Sequence, residues 1–282
     1  MDKIGLLYHP SVATAQPLAE EIGEWLAERN IRSWAAPTDA DNAVKAELAA
    51  SSLLVVLGGD GSMLKAAHLL LDCDIPLFGV NLGRVGFLSE AQVSDWPQKL
   101  ARVLDGDFWT ERRLMIQADL WRNGRLHRSF AALNDIVVGR GQQARVLRLH
   151  LYVDGDLVTI YTADALIVAT PTGSTAYSMA AGGPLLPPQL QNFVVVPVAA
   201  HLSLDRAMVL HEEAEIDIHV QMDHEAMLTA DGQSGIQLLD GDRITLKKHP
   251  HVSLFARVDS SGYFYRRLMR RLGFYTKAIS EE

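Results

Sequence analysis

Leu54-Val55-Val56-Leu57-Gly58-Gly59-Asp60-Gly61-Ser62 runs from four consecutive apolar residues straight into a glycine-rich turn that carries one carboxylate. An apolar run without alternation suits a strand covered on both faces, the condition of a parallel sheet packed between helices. In open parallel sheets ligands bind just beyond the carboxyl ends of the strands, which is where Asp60 falls. Glycines at 58, 59 and 61 allow left-handed backbone and let N–H groups approach an anion closely. The following residues, Ser62-Met63-Leu64-Lys65-Ala66-Ala67, start a helix whose positive end favours phosphate. The turn reads as a phosphate cradle made by Gly58, Gly59, Gly61 and Ser62, with Asp60 inside it as a base. The same letters also suit a plain strand-to-helix connection with Asp60 as a capping residue, so the rest of the chain has to decide.

Outward from this turn, strands alternate with helices. Ile4 to Tyr8 reads as a strand, and a helix follows with Leu18, Ile22, Trp25 and Leu26 on one face. Ser33 to Ala36 is a weak strand, Asn42 to Ala49 a helix, Ser62 to Leu71 a helix and Ile75 to Val80 a strand. This rhythm predicts a Rossmann-like or phosphofructokinase-like α/β domain with a parallel sheet over residues 1–105. Past Asp105-Gly106-Asp107 the pattern changes to alternation and hairpins. Arg148 to Val153, Asp154-Gly155 and Leu157 to Ile160 form the clearest pair; Glu215 to Val220 and Arg243 to Lys247 repeat the theme. The expectation is a mostly antiparallel, β-rich domain over 106–255, then a helical tail over 256–282 that could return to the first domain.

One segment breaks the β pattern. Ala165 to Ala169 reads as a buried strand, and Thr170-Pro171-Thr172-Gly173-Ser174-Thr175-Ala176-Tyr177-Ser178-Met179-Ala180-Ala181-Gly182-Gly183-Pro184 then supplies a cap, small residues and a terminating Gly-Gly-Pro. A short helix is expected, whose hydroxyls and amides suit ribose and phosphate oxygens.

Composition narrows the function classes. The chain has 282 residues, 48% hydrophobic and 21% charged, enough for one large or two ordinary domains. A net charge of −8 gives no basic field to recruit nucleic acid or an acidic membrane surface. Arg266, Arg267, Arg270 and Arg271 make the tail locally basic, which reads as the solvated face of a packed helix. The single cysteine, Cys73, excludes an intrachain disulfide and reads as a core residue. No apolar run reaches the ~20 residues that cross a bilayer, and the first residues lack the pattern of a secretion signal, so the expected compartment is the cytoplasm. The histidines show no zinc-binding spacing, and His201 beside Asp205 reads as a loop residue; no metal ligand is assigned to the chain.

Gly58-Gly59-Asp60-Gly61, Asn81-Leu82-Gly83-Arg84-Val85-Gly86-Phe87-Leu88, Leu133-Asn134-Asp135, Asp164, the Thr170–Ser178 block and Asp231-Gly232-Gln233 together resemble the NAD kinase family in order and spacing. Gly-Gly-Asp-Gly alone is also similar to the loop of diacylglycerol, sphingosine and phosphofructo-kinases; the long Thr-Pro-Thr-Gly-Ser-Thr-Ala-Tyr block separates them. The resemblance implies transfer of the terminal phosphoryl group of ATP, or of polyphosphate, to the 2′-hydroxyl of the adenosine ribose of NAD. It also implies a divalent metal, Mg²⁺, and a homodimer or homotetramer whose active sites borrow residues from neighbouring subunits. A ribose hydroxyl is a poor nucleophile, so a carboxylate such as Asp60 is wanted as proton acceptor.

The resemblance further assigns NAD binding to Asp60, Gly61, Asn134, Asp135, Arg145, Asp164, Thr175, Ala176, Tyr177, Ser178 and Gln233, with Asn134 and Asp135 at the adenosine and Asp164 at the nicotinamide end. Ser62 stands where a threonine is usual, Asp135 where a glutamate is usual, and Thr162 where some relatives carry arginine. Two rival readings stay open at this level: a lipid or sugar kinase sharing only the glycine-aspartate loop, and a non-catalytic dinucleotide sensor.

Overall fold

Every residue of Leu53–Gly58 is buried, which is what its unbroken apolar run demands of a strand at the centre of a covered sheet. The computed structural model describes residues 1–40, 44–83, 86–141, 146–200, 204–222, 225–233 and 235–272. In chain order the first elements are β1 (Lys3–Tyr8), α1 (Ala15–Ala27), β2 (Arg32–Pro37), α2 (Lys45–Ala49) and β3 (Leu53–Gly58). Then come α3 (Asp60–Leu69), β4 (Leu77–Asn81), β5 (Ala91–Gln92), α4 (Trp96–Leu104) and β6 (Trp109–Arg113). Two compact units result, Met1–Arg112 with Ser253–Glu282, and Arg113–Val252.

The second unit contributes β7 (Ile116–Arg122), β8 (Arg125–Ala132), β9 (Asp135–Arg140), β10 (Leu147–Val153), β11 (Asp156–Ala163) and β12 (Ala165–Ala169). After α5 (Tyr177–Ala180) follow β13 (Asn192–Val198), β14 (Met208–His211), β15 (Ile216–Gln221), β16 (Ala226–Ala230), β17 (Ile236–Leu238) and β18 (Arg243–Lys248). The last described elements are β19 (Ser253–Arg257) and α6 (Tyr263–Arg271).

In the first unit the described strands line up as β2-β1-β3-β4-β19-β6, with β5 beside β4. The β1–β2, β1–β3, β3–β4 and β4–β19 pairings are all parallel. The order reverses between β1 and β3, which makes their carboxyl ends the switch point where such sheets open a ligand crevice. On α1, Leu18, Ile22 and Leu26 recur every fourth residue and are buried against the sheet, while Trp25 packs edge-on against Trp96 with centroids 5.5 Å apart.

The second unit is built of two antiparallel sheets, β11-β10-β15-β18-β7-β8 and β14-β13-β12-β9-β16-β17. Leu149, Leu151, Ile218 and Leu246 of one sheet share a core with Val138, Leu166, Val168 and Val195 of the other. The expected hairpin is present, its turn made by Asp154 and Gly155 with φ of +52° and +87°. β12 is buried at all positions because Ile167 and Ala169 pack on a second apolar cluster behind its sheet. Fold class therefore agrees with the sequence reading.

Three expectations need correction. The segment after β12 is not one helix: a 3-10 turn over Gly173–Thr175 and the four-residue α5 are separated at Ala176, whose ψ of −128° breaks the helical path. Cys73 is only partly buried, since it follows the exit of α3. Arg267 is not a solvated arginine: it is 12% exposed and pairs with Glu90 at 3.3 Å and Asp259 at 3.6 Å.

Arg267 borders a buried ionic network. Arg257, 0% exposed, donates through Nε to Glu111 at 2.9 Å and through Nη1 to Glu90 at 3.1 Å. The same Nη1 reaches the carbonyls of Leu88 at 3.0 Å and Ser89 at 3.2 Å. Tyr263 Oη donates to Glu111 at 2.8 Å, and the Val258 and Asp259 amides donate to Glu90 Oε1 at 2.9 and 2.8 Å. The network ties β19 and α6 to the 87–90 segment of the first sheet. Breaking a buried pair leaves charges uncompensated at about 3–5 kcal/mol. Arg257→Met is expected to lower unfolding free energy by that order in urea titrations, and a midpoint equal to the parent's would contradict the stabilising role.

Candidate active site

The carboxyl ends of β1, β3 and β4 surround a pocket of about 340 Å³, lined by His9, Gly58, Gly59, Gly61, Ser62 and Asn81 among others. That volume is within the range of small-ligand sites. One of the two expected uses of the glycines falls away, for none of Gly58, Gly59 and Gly61 adopts positive φ. A Cβ on Gly59 or Gly61 would meet nothing within 4 Å, so their hydrogens keep the pocket open and the backbone accessible. Gly58 is needed for packing, because a Cβ there would stand 2.2 Å from Ser62 Oγ. That hydroxyl is buried and has no hydrogen-bond partner.

Asp60 is the first residue of α3, two residues earlier than the expected start at Ser62. Its carboxylate does not cap its own helix. Oδ2 accepts from the Phe87 amide and Oδ1 from the Leu88 amide, each at 3.1 Å. Gly86 makes room for this, since a Cβ there would lie 2.1 Å from Oδ1. Each carboxylate oxygen offers about two lone-pair sites, so both keep one free for a further proton donor.

In the second unit Asn134 and Asp135 sit at the entrance of β9 and are held by Asp231. The Asp231 carboxylate accepts from the amides of Leu133 at 2.8 Å, Asn134 at 2.6 Å and Asp135 at 3.1 Å. Thr170 adds an Oγ1 bond to the Leu133 carbonyl at 2.5 Å and an amide bond to the Asn134 carbonyl at 2.9 Å. Gly173 lies against the same carbonyl, 2.0 Å from where its Cβ would be. Burial first, and the nearby Asp231 charge second, raise the Asp135 carboxyl from its ordinary value to about 7.

The other predicted residues are more dispersed. Asp164 pairs with Arg140 Nε at 3.2 Å. The hydroxyls of Ser174 and Thr175 donate to the carbonyls of Pro171 and Thr172 at 2.7 and 3.2 Å, which commits their protons to the turn. Ala176 is half-buried, Tyr177 is 45% exposed, and the buried Ser178 Oγ has no partner. Gln233 is exposed in the turn after β16, its amide donating to the Ala230 carbonyl at 3.0 Å. Arg145 and His201 lie outside the described residues. Gly58 to Ser62 thus gather in the first unit, and Asn134, Asp135 and the Thr170–Ser178 block in the second.

Residues 34–108 match the family model of the ATP-NAD kinase N-terminal domain, and residues 133–258 that of the ATP-NAD kinase C-terminal domain. The chain belongs to the ATP-NAD kinase family. An NAD kinase of Chloroflexus aurantiacus is 35% identical over 272 residues, 96% of this chain and 99% of its own. One of Citrifermentans bemidjiense is 37% identical over 276 residues, 94% and 96% of the two chains. Among solved structures, an NAD kinase from Archaeoglobus fulgidus in complex with ATP matches with a TM-score of 0.78 at 27% identity, covering 96% of this chain and 99% of that one. Yeast NADH kinase complexed with NADH matches the fold with a TM-score of 0.85 at 22% identity, covering 98% and 89%.

The sequence reading of this family member missed what grips Asp60 and what holds Asn134. Phe87, Leu88 and Asp231 were visible as motif letters without roles, and Arg257 left only the trace of a cation between Ala256 and Val258 in an apolar strand.

The raised Asp135 carboxyl fixes a sign. In the unfolded chain it titrates near 3.8 and in the fold near 7. Below about pH 4 both states are protonated and the contribution is full; it is lost as pH rises to about 7, because the fold resists ionisation. Asp135→Asn should remove that loss, gaining stability over the parent in urea at pH 8 by up to a few kcal/mol, with little gain at pH 4. A gain of the same size at both pH values would show that Asp135 does not titrate in this way.

Proposed function

We propose that this chain phosphorylates the 2′-hydroxyl of the adenosine ribose of NAD, with ATP as phosphoryl donor and NADP as product. The observation that carries the reading is the fixed carboxylate of Asp60 beside a glycine-lined pocket at the sheet's switch point. The family membership supports the choice of substrates, and the length of the match disfavours a lipid or sugar kinase.

In this reading Gly58, Gly59, Gly61 and Ser62, at the amino end of the ten-residue α3, receive donor phosphates on the amides ahead of Ser62, whose own amide already donates to the Gly59 carbonyl at 3.0 Å, and on the Ser62 hydroxyl. Asp60, oriented by Phe87 and Leu88, accepts the 2′-hydroxyl proton as the ribose oxygen bonds to phosphorus and the bond to the leaving phosphate breaks. Asn134 and Asp135 bind the adenosine part of NAD. Asp164, Thr175, Ala176, Tyr177, Ser178, Gln233 and Arg145 line the rest of the dinucleotide, with Gly61 and Asp60 at its ribose.

Among the described residues no group of three His, Cys, Asp or Glu side chains is placed to cage a metal. The pocket does offer hard neutral oxygens, the unpartnered Ser62 Oγ and the Asn81 side-chain carbonyl, a set that fits Mg²⁺ carried chiefly by phosphate and water. When bound, Mg²⁺ neutralises charge on the phosphoryl donor. Polyphosphate presents similar terminal phosphates to the same amides. A homodimer or homotetramer completes the reading. Among the described residues no helix is long and apolar enough to cross a membrane.

Purified protein with NAD, ATP and Mg²⁺ should form NADP, and Asp60→Asn should lower turnover by at least ~10²-fold with NAD affinity retained. Unchanged turnover would remove Asp60 from the role of base; no NADP with ATP or polyphosphate would favour a dinucleotide sensor.

A further inference from the structure

Helix α6 ends at Arg271, whose Nη1 stands 3.8 Å from Asp60 Oδ2 and whose guanidinium lies 4.9 Å from the centre of the Phe87 ring. Phe87 is thus shared: its amide holds Asp60 and its ring supports the arginine. The contact does not hold the helix. Tyr263, Phe264 and Leu268 bury α6 against Phe87, and Arg267 adds its pairs with Glu90 and Asp259.

The Arg271–Asp60 pair has the opposite character. Arg271 is 48% exposed and its approach to Asp60 is longer than a hydrogen bond, so the pair falls in the class worth about 0–1 kcal/mol. Stability gives no reason for a cation there. Chemistry does, because Asp60 repels any incoming phosphate and a guanidinium within reach offsets that repulsion. Its planar fork also matches two phosphate oxygens at once, with donors that Asp60 leaves uncommitted.

We propose that Arg271 binds the phosphoryl group in transfer, moving from its loose contact with Asp60 onto the oxygens of the donor's terminal phosphate. The inference rests on the kinase reading above. If Asp60 takes the proton of the attacking hydroxyl, the phosphorus accepting that oxygen lies one bond further on, within the sweep of an arginine already 3.8 Å from the carboxylate. Charge spreads over the equatorial oxygens of this transition state, and an arginine placed on them contributes up to about 10³–10⁵-fold in other phosphoryl-transfer enzymes. For a half-exposed side chain we expect the lower end or less, about 10²–10³-fold.

The test uses the full chain with Mg²⁺, ATP and NAD. Arg271→Ala should lower kcat by about 10²-fold or more while NAD affinity and melting temperature stay near the parent's, and methylguanidine added to this variant should restore part of kcat where methylamine does not. Arg271→Lys should fall between the two. If the parent makes NADP and Arg271→Ala turns over within threefold of it, or if its loss tracks a lowered melting temperature without rescue, the inference is overturned. If the parent makes no NADP with any phosphoryl donor, the kinase reading itself fails and the inference with it.

Discussion

Two backbone amides, those of Phe87 and Leu88, fix the carboxylate of Asp60, and the chemistry proposed for the first unit depends on that grip. A carboxylate on a glycine-flanked turn has many rotamers; one bonded through both oxygens has a single orientation. The amides can do this only because the segment carrying them is itself immobilised. Arg257 bonds the carbonyls of Leu88 and Ser89 from below, while Glu90 takes the amides of Val258 and Asp259 in return. The closing strand of the chain therefore positions a residue nearly two hundred positions earlier. The cost of burying such charges is offset in part by the bonds that Nε and Nη1 of Arg257 make, while its buried Nη2 has no hydrogen-bond partner, and what is gained is orientation as much as stability.

The second unit applies the same device with a different anion. Asp231, in left-handed backbone with φ of +50°, collects three consecutive amides at the start of β9 and so shapes the Asn134–Asp135 corner. Its charge is one of the two causes that raise the buried Asp135 carboxyl. Both units thus use a carboxylate against main-chain N–H groups to set a loop, once with the carboxylate as the proposed reactive group and once with it as the support.

What the sequence made legible follows from how local each signal is. The burial of β3 leaves an uninterrupted apolar run, and the β10–β11 hairpin leaves Asp154-Gly155 at the two left-handed positions, so both were readable. The pocket lining of Gly58, Gly59, Gly61 and Ser62 was readable as a group because these residues are nearly contiguous. The packing need at Gly58 was not, since the closeness of Ser62 Oγ is a property of the folded pocket, and the left-handed backbone expected of the three glycines is not adopted. That the hydroxyls of Ser174 and Thr175 donate to carbonyls of their own turn was not readable, because local side-chain bonds to backbone compete with any outside acceptor. Arg257 and Glu90 are 167 positions apart, and Arg271 meets Asp60 only after α6 docks, so no spacing rule could pair them.

In the proposed reaction the held Asp60 carboxylate receives the proton of the adenosine 2′-hydroxyl. A crystal structure of the protein with NAD, Mg²⁺ and a non-transferable ATP analogue tests it most directly. A 2′-oxygen is expected within about 2.6–3.2 Å of one Asp60 carboxylate oxygen, with the hydrogen bonds from the Phe87 and Leu88 amides intact. A ribose bound with that hydroxyl turned away and beyond reach of even a bridging water would contradict it.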